Sequence, residues 1–131
     1  MELTGKVALV TGGTKGIGAA AAIALATRGC DVAINGRHLD DDAQAVRDQV
    51  QGLGRRCAVV VADVACPEQA TRAVHDTAAE LGALDVLVHS AGGPVPGTVM
   101  DVMPESAICG IAFRCIAKAG RRTLLRSSSS W

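Results

Sequence analysis

The sequence predicts an α/β fold: a doubly wound parallel sheet with helices packed on both faces, in three layers. Strand and helix signals alternate from residue 6 to residue 93. The strand segments are near-continuous apolar runs, which is typical of parallel strands covered on both faces. A glycine-rich turn follows the first strand directly and leads into a helix. Because β-α-β crossovers are right-handed, three in succession predict the strand order 3-2-1-4, which is an incomplete doubly wound sheet.

The first two strand-helix units are bounded by glycines and by acidic residues. "KVALVTG" is a short β-branched run closed by glycine and predicts the first strand. "GIGAAAAIALATRG" predicts a helix of small residues that ends at Gly29. "CDVAING" predicts the second strand, and Asp40–Asp42 suit the positive N-terminal end of the next helix. The core-facing side chains of this second helix are predicted to be Ala43, Val46, Val50 and Leu53.

The same alternation continues through a third helix and a fourth strand. "RCAVVVADV" predicts the third strand, and Pro67 suits the first position of the helix that follows it. That helix is expected to turn Ala70, Val74 and Leu81 inward and to end at Gly82. "LDVLVHSAGG" predicts the fourth strand and its turn. This completes the predicted 3-2-1-4 sheet.

Beyond Gly93 the regular pattern is lost. A loop rich in proline and glycine is followed by "SAICGIAFRCIAKAG", which predicts one helix, and by the serine-rich "RRTLLRSSSSW", which predicts a disordered end. Every acidic residue lies within 1–105, whereas 106–131 contains only basic charges. We therefore divide the chain into a folded domain, 1–105, and a divergent basic tail, 106–131.

Composition argues against several classes of function. The chain has 131 residues, of which 49% are hydrophobic and 20% charged, an ordinary globular composition. No aromatic residues are interleaved with the basic ones, so nucleic-acid binding is not expected. No apolar run reaches the roughly 18 residues of a membrane span, and no signal peptide or metal-ligand spacing is evident. Five cysteines without a C-x-x-C pair indicate reduced thiols and a cytoplasmic protein: Cys30, Cys57, Cys66, Cys109 and Cys115.

The segment "TGGTKGIG", residues 11–18, has the properties of a phosphate-binding loop. It lies between a predicted strand and a predicted helix, whose N–H groups and positive dipole end face the loop. Gly12 is expected to permit the tight turn, Gly16 to let a pyrophosphate approach, and Gly18 to let the helix pack closely on the sheet. The alternative is a purely structural left-handed turn that binds nothing.

The end of the second strand indicates which dinucleotide would bind. A site for NAD places a carboxylate there to bind the ribose 2′-hydroxyl, but this chain has Gly36, which leaves room, followed by Arg37. An arginine suits a 2′-phosphate through charge-assisted hydrogen bonds, and Lys15 adds a second cation. The sequence therefore favours NADP(H) over NAD(H), with Asp40–Asp42 interpreted as helix N-terminal residues rather than ribose ligands.

These motifs together resemble the short-chain dehydrogenase/reductase family over roughly residues 2–105. The family fingerprint T-G-x-x-x-G-x-G matches "TGGTKGIG"; "ADV" at 62–64 and "HSAG" at 89–92 match the motifs that end its third and fourth strands. The resemblance implies a Rossmann-type sheet that binds a nicotinamide dinucleotide. The predicted cofactor-binding residues are Gly12, Thr14, Lys15, Gly16, Ile17, Gly18, Arg37, Asp63, Val64, Ser90, Ala91 and Gly92.

The resemblance also implies individual roles. Thr11 would tie the glycine loop to the neighbouring strand turn, and Asp63 would accept a hydrogen bond from the adenine amino group, with Val64 packing beside it. The backbone of Ala91 and Gly92 would pass along the ribose. Two family positions need comment: Ser90 replaces an asparagine and reaches less far, and His89 is interpreted as a neutral spacer rather than a catalytic base.

Catalytic residues of the family type are missing from this sequence. Members of the family transfer protons with a Y-x-x-x-K pair, and the chain contains no tyrosine. Arg114 and Lys118 have that spacing, but an arginine stays protonated and cannot act as the acid or base. No catalytic residue is therefore assigned.

We interpret the chain as the truncated cofactor-binding half of an NADP(H)-dependent short-chain oxidoreductase that acts on an alcohol or carbonyl and is inactive as it stands. A frameshift or alternative end after about Glu105 would explain the abrupt change of composition. The alternatives are a non-catalytic dinucleotide-binding or partner-binding protein and a non-functional fragment. A fourth strand without a fifth beside it would leave an apolar edge open, so self-association is expected.

Overall fold

The computed structural model describes residues 2–92, which form four strands and three helices in strict alternation. The predicted loop after Gly93, the helix and disordered end predicted within 106–131, and the boundary at residue 105 lie outside the described residues. The elements are β1 (Val7–Thr11), α1 (Gly16–Thr27), β2 (Asp31–Gly36), α2 (Asp41–Gly52), β3 (Cys57–Val61), α3 (Pro67–Leu81) and β4 (Val86–His89).

The four strands form one parallel sheet in the order β3-β2-β1-β4, which confirms the predicted order. Thr11 at the end of β1 is level with Asn35 of β2 on one side and with His89 of β4 on the other. β3 is shorter than predicted. It ends at Val61, because Val61 pairs with Gly36 and Gly36 is the last residue of β2. The "ADV" motif therefore lies in the turn after β3.

Two apolar clusters hold the helices on opposite faces of the sheet, as the three-layer prediction requires. On one face Leu9 and Val60 pack with Val74 and other residues of α3. On the other face Val10 and Ile34 pack with residues of α1 and α2. Side chains that alternate along each strand thus enter the two clusters in turn, which is why the strands are continuous apolar runs in the sequence.

The helix ends follow the local sequence with one exception. Asp40 caps α2 by accepting a hydrogen bond from the Ala43 N–H at 3.0 Å, and Gly82 ends α3 in the left-handed conformation with φ of 88°. The prediction that Leu53 belongs to the buried face of α2 is wrong. That helix ends at Gly52, so Leu53 lies past its last turn and is 46% exposed. None of the helices between residues 2 and 92 is long and apolar enough to cross a bilayer.

At the edge of the sheet where the strands begin, charged side chains link neighbouring elements. Arg56 donates to the carboxylate of Asp31 from Nε at 2.8 Å and from its guanidinium end at 2.7 Å, and its backbone N–H donates to the same group at 3.0 Å. Arg56 also donates to the carbonyl of Leu81, the last residue of α3. Burial alone would raise the pKa of Asp31, but the hydrogen bonds and charge of Arg56 outweigh it and hold that pKa below its usual value. One ion pair therefore ties β2, β3 and α3 together.

Candidate dinucleotide-binding site

The predicted site residues lie at the opposite edge, where all four strands end. The loop after β1 turns at Gly12, whose φ of 64° is in the left-handed region. A Cβ at Gly12 would lie 2.8 Å from the Cα of Ala91 and 2.9 Å from the carbonyl oxygen of Ser90. Gly12 therefore serves two purposes, because it makes the tight turn and lets the loop lie directly against the turn that follows β4.

The other two glycines of the motif have different surroundings. A Cβ at Gly18 would overlap the carbonyl oxygen of Gly12, so this glycine lets α1 pack against its own loop rather than against the sheet as predicted. Gly16 has a φ of 58°, and a Cβ there would meet nothing within 4 Å. The backbone at Gly16 thus faces open space, as a cradle for a phosphate requires.

The N-terminus of α1 is electrostatically prepared for an anion. No side chain caps this helix, and its first turn contains no acidic residue. By contrast, α2 has a capping aspartate and two more aspartates in its first turn. Ile17, in the first turn of α1, is 83% exposed, a costly position for an apolar side chain in water. An apolar surface and an uncapped positive helix end thus adjoin the same loop.

The end of β2 supplies a cation but less open space than predicted. A Cβ at Gly36 would lie 2.6 Å from the Cγ2 of Thr14, whose side chain is buried there. The room that Gly36 leaves is therefore filled by the protein itself. Arg37 is exposed and makes no hydrogen bond or ion pair with any other residue in the described part of the chain. Lys15 lies 3.9 Å from Asp42, measured from Nζ to Oδ2, in a well-exposed pair.

The turn after β3 is held by its own side chains. Asp63 accepts a hydrogen bond from the Ala65 N–H at 2.9 Å through Oδ1, while its own N–H donates to the side chain of Gln69 at 2.9 Å. The residue is exposed, so its carboxylate is accessible to a ligand. Val64 is 9% exposed and belongs to the apolar cluster beneath α3.

The turn after β4 is attached to β1 through Thr11, which has the predicted tying position. The Thr11 hydroxyl lies 2.8 Å from Nδ1 of His89 and accepts a hydrogen bond from the Ala91 N–H at 3.3 Å. The Ser90 N–H donates to the Thr11 carbonyl at 3.1 Å. Through these bonds the backbone of 90–91 is fixed beside Gly12, and Gly92 follows as an exposed residue.

Three residues that organise this edge are missing from the set predicted from the sequence. Gly13, whose Cβ would meet the Val10 carbonyl oxygen at 2.8 Å, donates its N–H to the Asn35 carbonyl at 3.0 Å. Asn35 and Gln69 both hold the β3 turn through their side chains. A polar residue inside the apolar run "DVAING" is the available signal for Asn35, because a buried amide requires hydrogen-bond partners. Gln69 has no comparable signal.

Known proteins with similar sequences fit this arrangement. The family model for short chain dehydrogenase matches residues 6–109. Versicolorin reductase 1 of Aspergillus parasiticus is 41% identical over 104 residues, which cover 79% of this chain and 40% of that protein. The chain belongs to the short-chain dehydrogenase family.

Solved structures give the same result. A short-chain dehydrogenase from Burkholderia cenocepacia, in complex with NADP, has a TM-score of 0.83 and 38% identity over 94% of this chain and 52% of its own. One from Mycobacterium paratuberculosis, bound to NAD, has a TM-score of 0.83 and 25% identity over 98% of this chain and 54% of its own. The chain thus spans about half the length of these relatives, and similar structures hold either dinucleotide.

Proposed function

We propose that this chain binds a nicotinamide dinucleotide, with NADP(H) preferred, at the carboxyl edge of its sheet. The observation that carries the proposal is the combination of an uncapped α1 N-terminus with a glycine backbone at Gly16 that faces open space. Anions are stabilised at such a helix end by unpaired N–H groups and by the helix dipole. The residues present therefore fit the pyrophosphate of a dinucleotide.

The remaining predicted residues surround this anchor with suitable chemistry. The Asp63 carboxylate would accept a hydrogen bond from the adenine amino group, and the backbone of Ala91 and Gly92 would pass along a ribose. Ile17, which is 83% exposed, would cover part of the nicotinamide side. When bound, the nicotinamide ring supplies hydride transfer. The chain's own contribution is to bind the cofactor and orient it.

The preference for the 2′-phosphate rests on charge. The exposed Arg37 has no partner among residues 2–92, so its guanidinium can bind a phosphate without first breaking an ion pair. Lys15 shares its charge with Asp42 across 3.9 Å, which makes it the weaker contributor. The NADP complex of the Burkholderia relative supports this choice, whereas the NAD complex of the Mycobacterium relative keeps NAD as the alternative.

For the whole protein we propose oxidoreductase activity on an alcohol or carbonyl substrate, as its relatives' names suggest. The 131 residues of this chain contain no tyrosine, so the proton donor of the Y-x-x-x-K pair is absent from them. We therefore expect this chain alone to bind cofactor without turnover. The folded unit is proposed to extend to about residue 105.

Two further properties are proposed for the chain in the cell. Free thiols favour a reducing compartment such as the cytoplasm. Burial raises the pKa of the Cys57 thiol to about 11, which keeps that cysteine protonated and unreactive at neutral pH. Self-association along β4 is also proposed, because β4 is one of the two outer strands of the sheet within residues 2–92 and, unlike β3, contains no fully buried residue.

Titration with NADPH and NADH, followed by calorimetry, tests the cofactor proposal. We expect the unmodified chain to bind NADPH more tightly than NADH. Arg37→Ala is expected to weaken NADPH binding about tenfold or more, because it removes charge-assisted hydrogen bonds to the 2′-phosphate, and to change NADH binding little.

A matched substitution should move the affinity in the opposite direction. Asp42→Asn releases Lys15 from its ion pair and is expected to strengthen NADPH binding by a few-fold at low salt. Equal losses for both dinucleotides in Arg37→Ala would argue against a 2′-phosphate site. Oxidation of NADPH by the chain in the presence of a panel of ketones would contradict the proposed lack of turnover.

A further inference from the structure

We infer that Asn35 is a positioning residue that fixes the Asp63 turn relative to the glycine loop and thereby sets the affinity for the adenine half of the cofactor. The inference rests on the proposed function, and it assigns a role to a residue outside the predicted set of cofactor-binding residues. Asn35 is in β2, level with Thr11 of β1, and only 2% of it is exposed.

The side chain of Asn35 reaches the strand on the far side of β2 from β1. Its Nδ2 donates hydrogen bonds to the carbonyls of Val60 and Ala62, both at 3.0 Å. Ala62 lies past Val61, the last residue of β3 that is paired with β2. The Ala62 N–H still donates to the Gly36 carbonyl of β2 at 3.0 Å, and the Asn35 amide adds a second bond, to the Ala62 carbonyl, in the residue directly before Asp63.

The backbone of Asn35 faces the glycine loop. Its carbonyl accepts the Gly13 N–H at 3.0 Å, one residue after the Gly12 turn. A single residue thus bonds to the loop that would hold the pyrophosphate and to the turn that would hold the adenine. The distance between those two parts of the cofactor is limited by its covalent structure, so a protein that binds both must hold the two segments within a matching separation.

The buried amide of Asn35 is not needed to form the sheet, which suggests that it has another role. An amide in an apolar interior is costly unless it is hydrogen-bonded, and its neighbours Ala33 and Ile34 fill their core positions with apolar groups alone. Removing the amide would leave the Ala62 carbonyl without its side-chain donor. We therefore expect the Asp63 turn to move more freely while the sheet remains formed.

Binding of half-cofactors separates this role from general stability. Asn35→Ala is expected to weaken binding of adenosine 2′,5′-bisphosphate about tenfold while leaving the much weaker binding of nicotinamide mononucleotide unchanged. Thr77→Ala is the matched control, because Thr77 is a fully buried residue whose hydroxyl bonds to a backbone carbonyl, that of Ala73, within α3. Thr77→Ala should lower stability without changing either affinity. Unchanged bisphosphate binding in a folded Asn35→Ala protein would overturn the inference.

Amide hydrogen exchange on the cofactor-free protein decides the inference even where binding fails. In Asn35→Ala we expect faster exchange at the hydrogen-bonded amides of Asp63, Ala65 and Cys66, with α2 unchanged as the internal reference. If Asn35→Ala does not fold, exchange is measured instead on Asn35→Ser, which keeps one hydrogen-bond donor in the side chain. Exchange in the turn that matches the unmodified protein refutes the role of Asn35, whereas a failure of the unmodified chain to bind NADPH refutes only the proposed function.

Discussion

At the scale of single residues, three glycines of one motif are required for three different reasons. Gly12 combines a left-handed φ with contact to the β4 turn, Gly18 lies under a carbonyl of the loop, and Gly16 has a left-handed φ beside open space. Spacing along the chain identifies all three but does not distinguish them. Their substitutions should therefore fail in different ways.

Gly18→Ala should be the most damaging of these substitutions to the fold. Its Cβ would overlap the Gly12 carbonyl oxygen, and only backbone movement relieves that overlap. We expect a loss of about 2 kcal/mol or more in the free energy of unfolding, measured with urea, together with loss of NADPH binding. Gly52→Ala is the control, since a Cβ there meets nothing within 4 Å and stability should stay within about 1 kcal/mol. Similar values for the two variants would contradict this interpretation of the loop.

The sequence identifies the site residues whose requirement is local and misses those whose partners are distant. Glycine spacing and the polar residues that follow the strands are visible in a short window. The amide of Asn35 bonds to residues 25 and 27 positions away, and no local pattern encodes that contact. The motif places Thr14 among the cofactor-binding residues, but its packing over Gly36 depends on how the loop folds back on β2. Tertiary contacts of this kind become evident only once the strands are placed side by side.

At the scale of elements, the order of the strands in the sheet is predictable from the sequence, but the residues at which strands and helices end are not. Apolar runs predict the parallel order, because the strands are covered by helices on both faces of the sheet. Where a strand ends depends on its neighbour: β3 stops at Val61 because β2 offers no further paired residue. The prediction for Leu53 is wrong for a related reason, since its apolar periodicity continues past the end of the helix.

The ion pair between Asp31 and Arg56 should make stability depend on pH in a definite direction. Because the pKa of Asp31 is held below its usual 3.8, the stabilisation is present above that pH and is lost as the pH falls through the lowered pKa. We expect Asp31→Asn to cost about 1–2 kcal/mol at neutral pH and less at about pH 3, which lies below the usual pKa of 3.8.

Urea unfolding at the two pH values measures this difference. Asp48→Asn is a suitable control, because Asp48 is exposed on α2 and has no ion pair within residues 2–92. A cost of Asp31→Asn that is the same at both pH values would show that the charge of Asp31 is not what stabilises the fold.

At the scale of the whole molecule, the two ends of the parallel strands have different roles. The edge where strands begin carries the Asp31–Arg56 and Lys6–Asp85 pairs, and the opposite edge carries all the predicted binding residues. Stabilising charges and binding groups are thus separated by the length of the strands. Substitutions that test stability can be made at one edge with little effect on the other.

Self-association is expected to depend on β4. Within residues 2–92 β4 is an outer strand whose four residues are partly buried, and outer strands favour pairing between molecules. Sedimentation at increasing concentration should detect association of the unmodified chain. Val88→Lys should weaken it, whereas Val61→Lys, on the opposite outer strand β3, should not. An unmodified chain that stays monomeric across the whole concentration range would rule out this prediction.

The packing of Thr14 over Gly36 has a consequence for how coenzyme preference can change in a lineage. The single step that would bring a ribose-binding carboxylate to the end of β2 places a side chain where Thr14 already lies, at 2.6 Å for the first carbon alone. The Thr14 side chain must therefore move, or residue 14 must become smaller, before or together with that step. We therefore expect substitutions at residues 14 and 36 to be epistatic, so that exchange of one dinucleotide for the other depends on the order in which the two mutations arise.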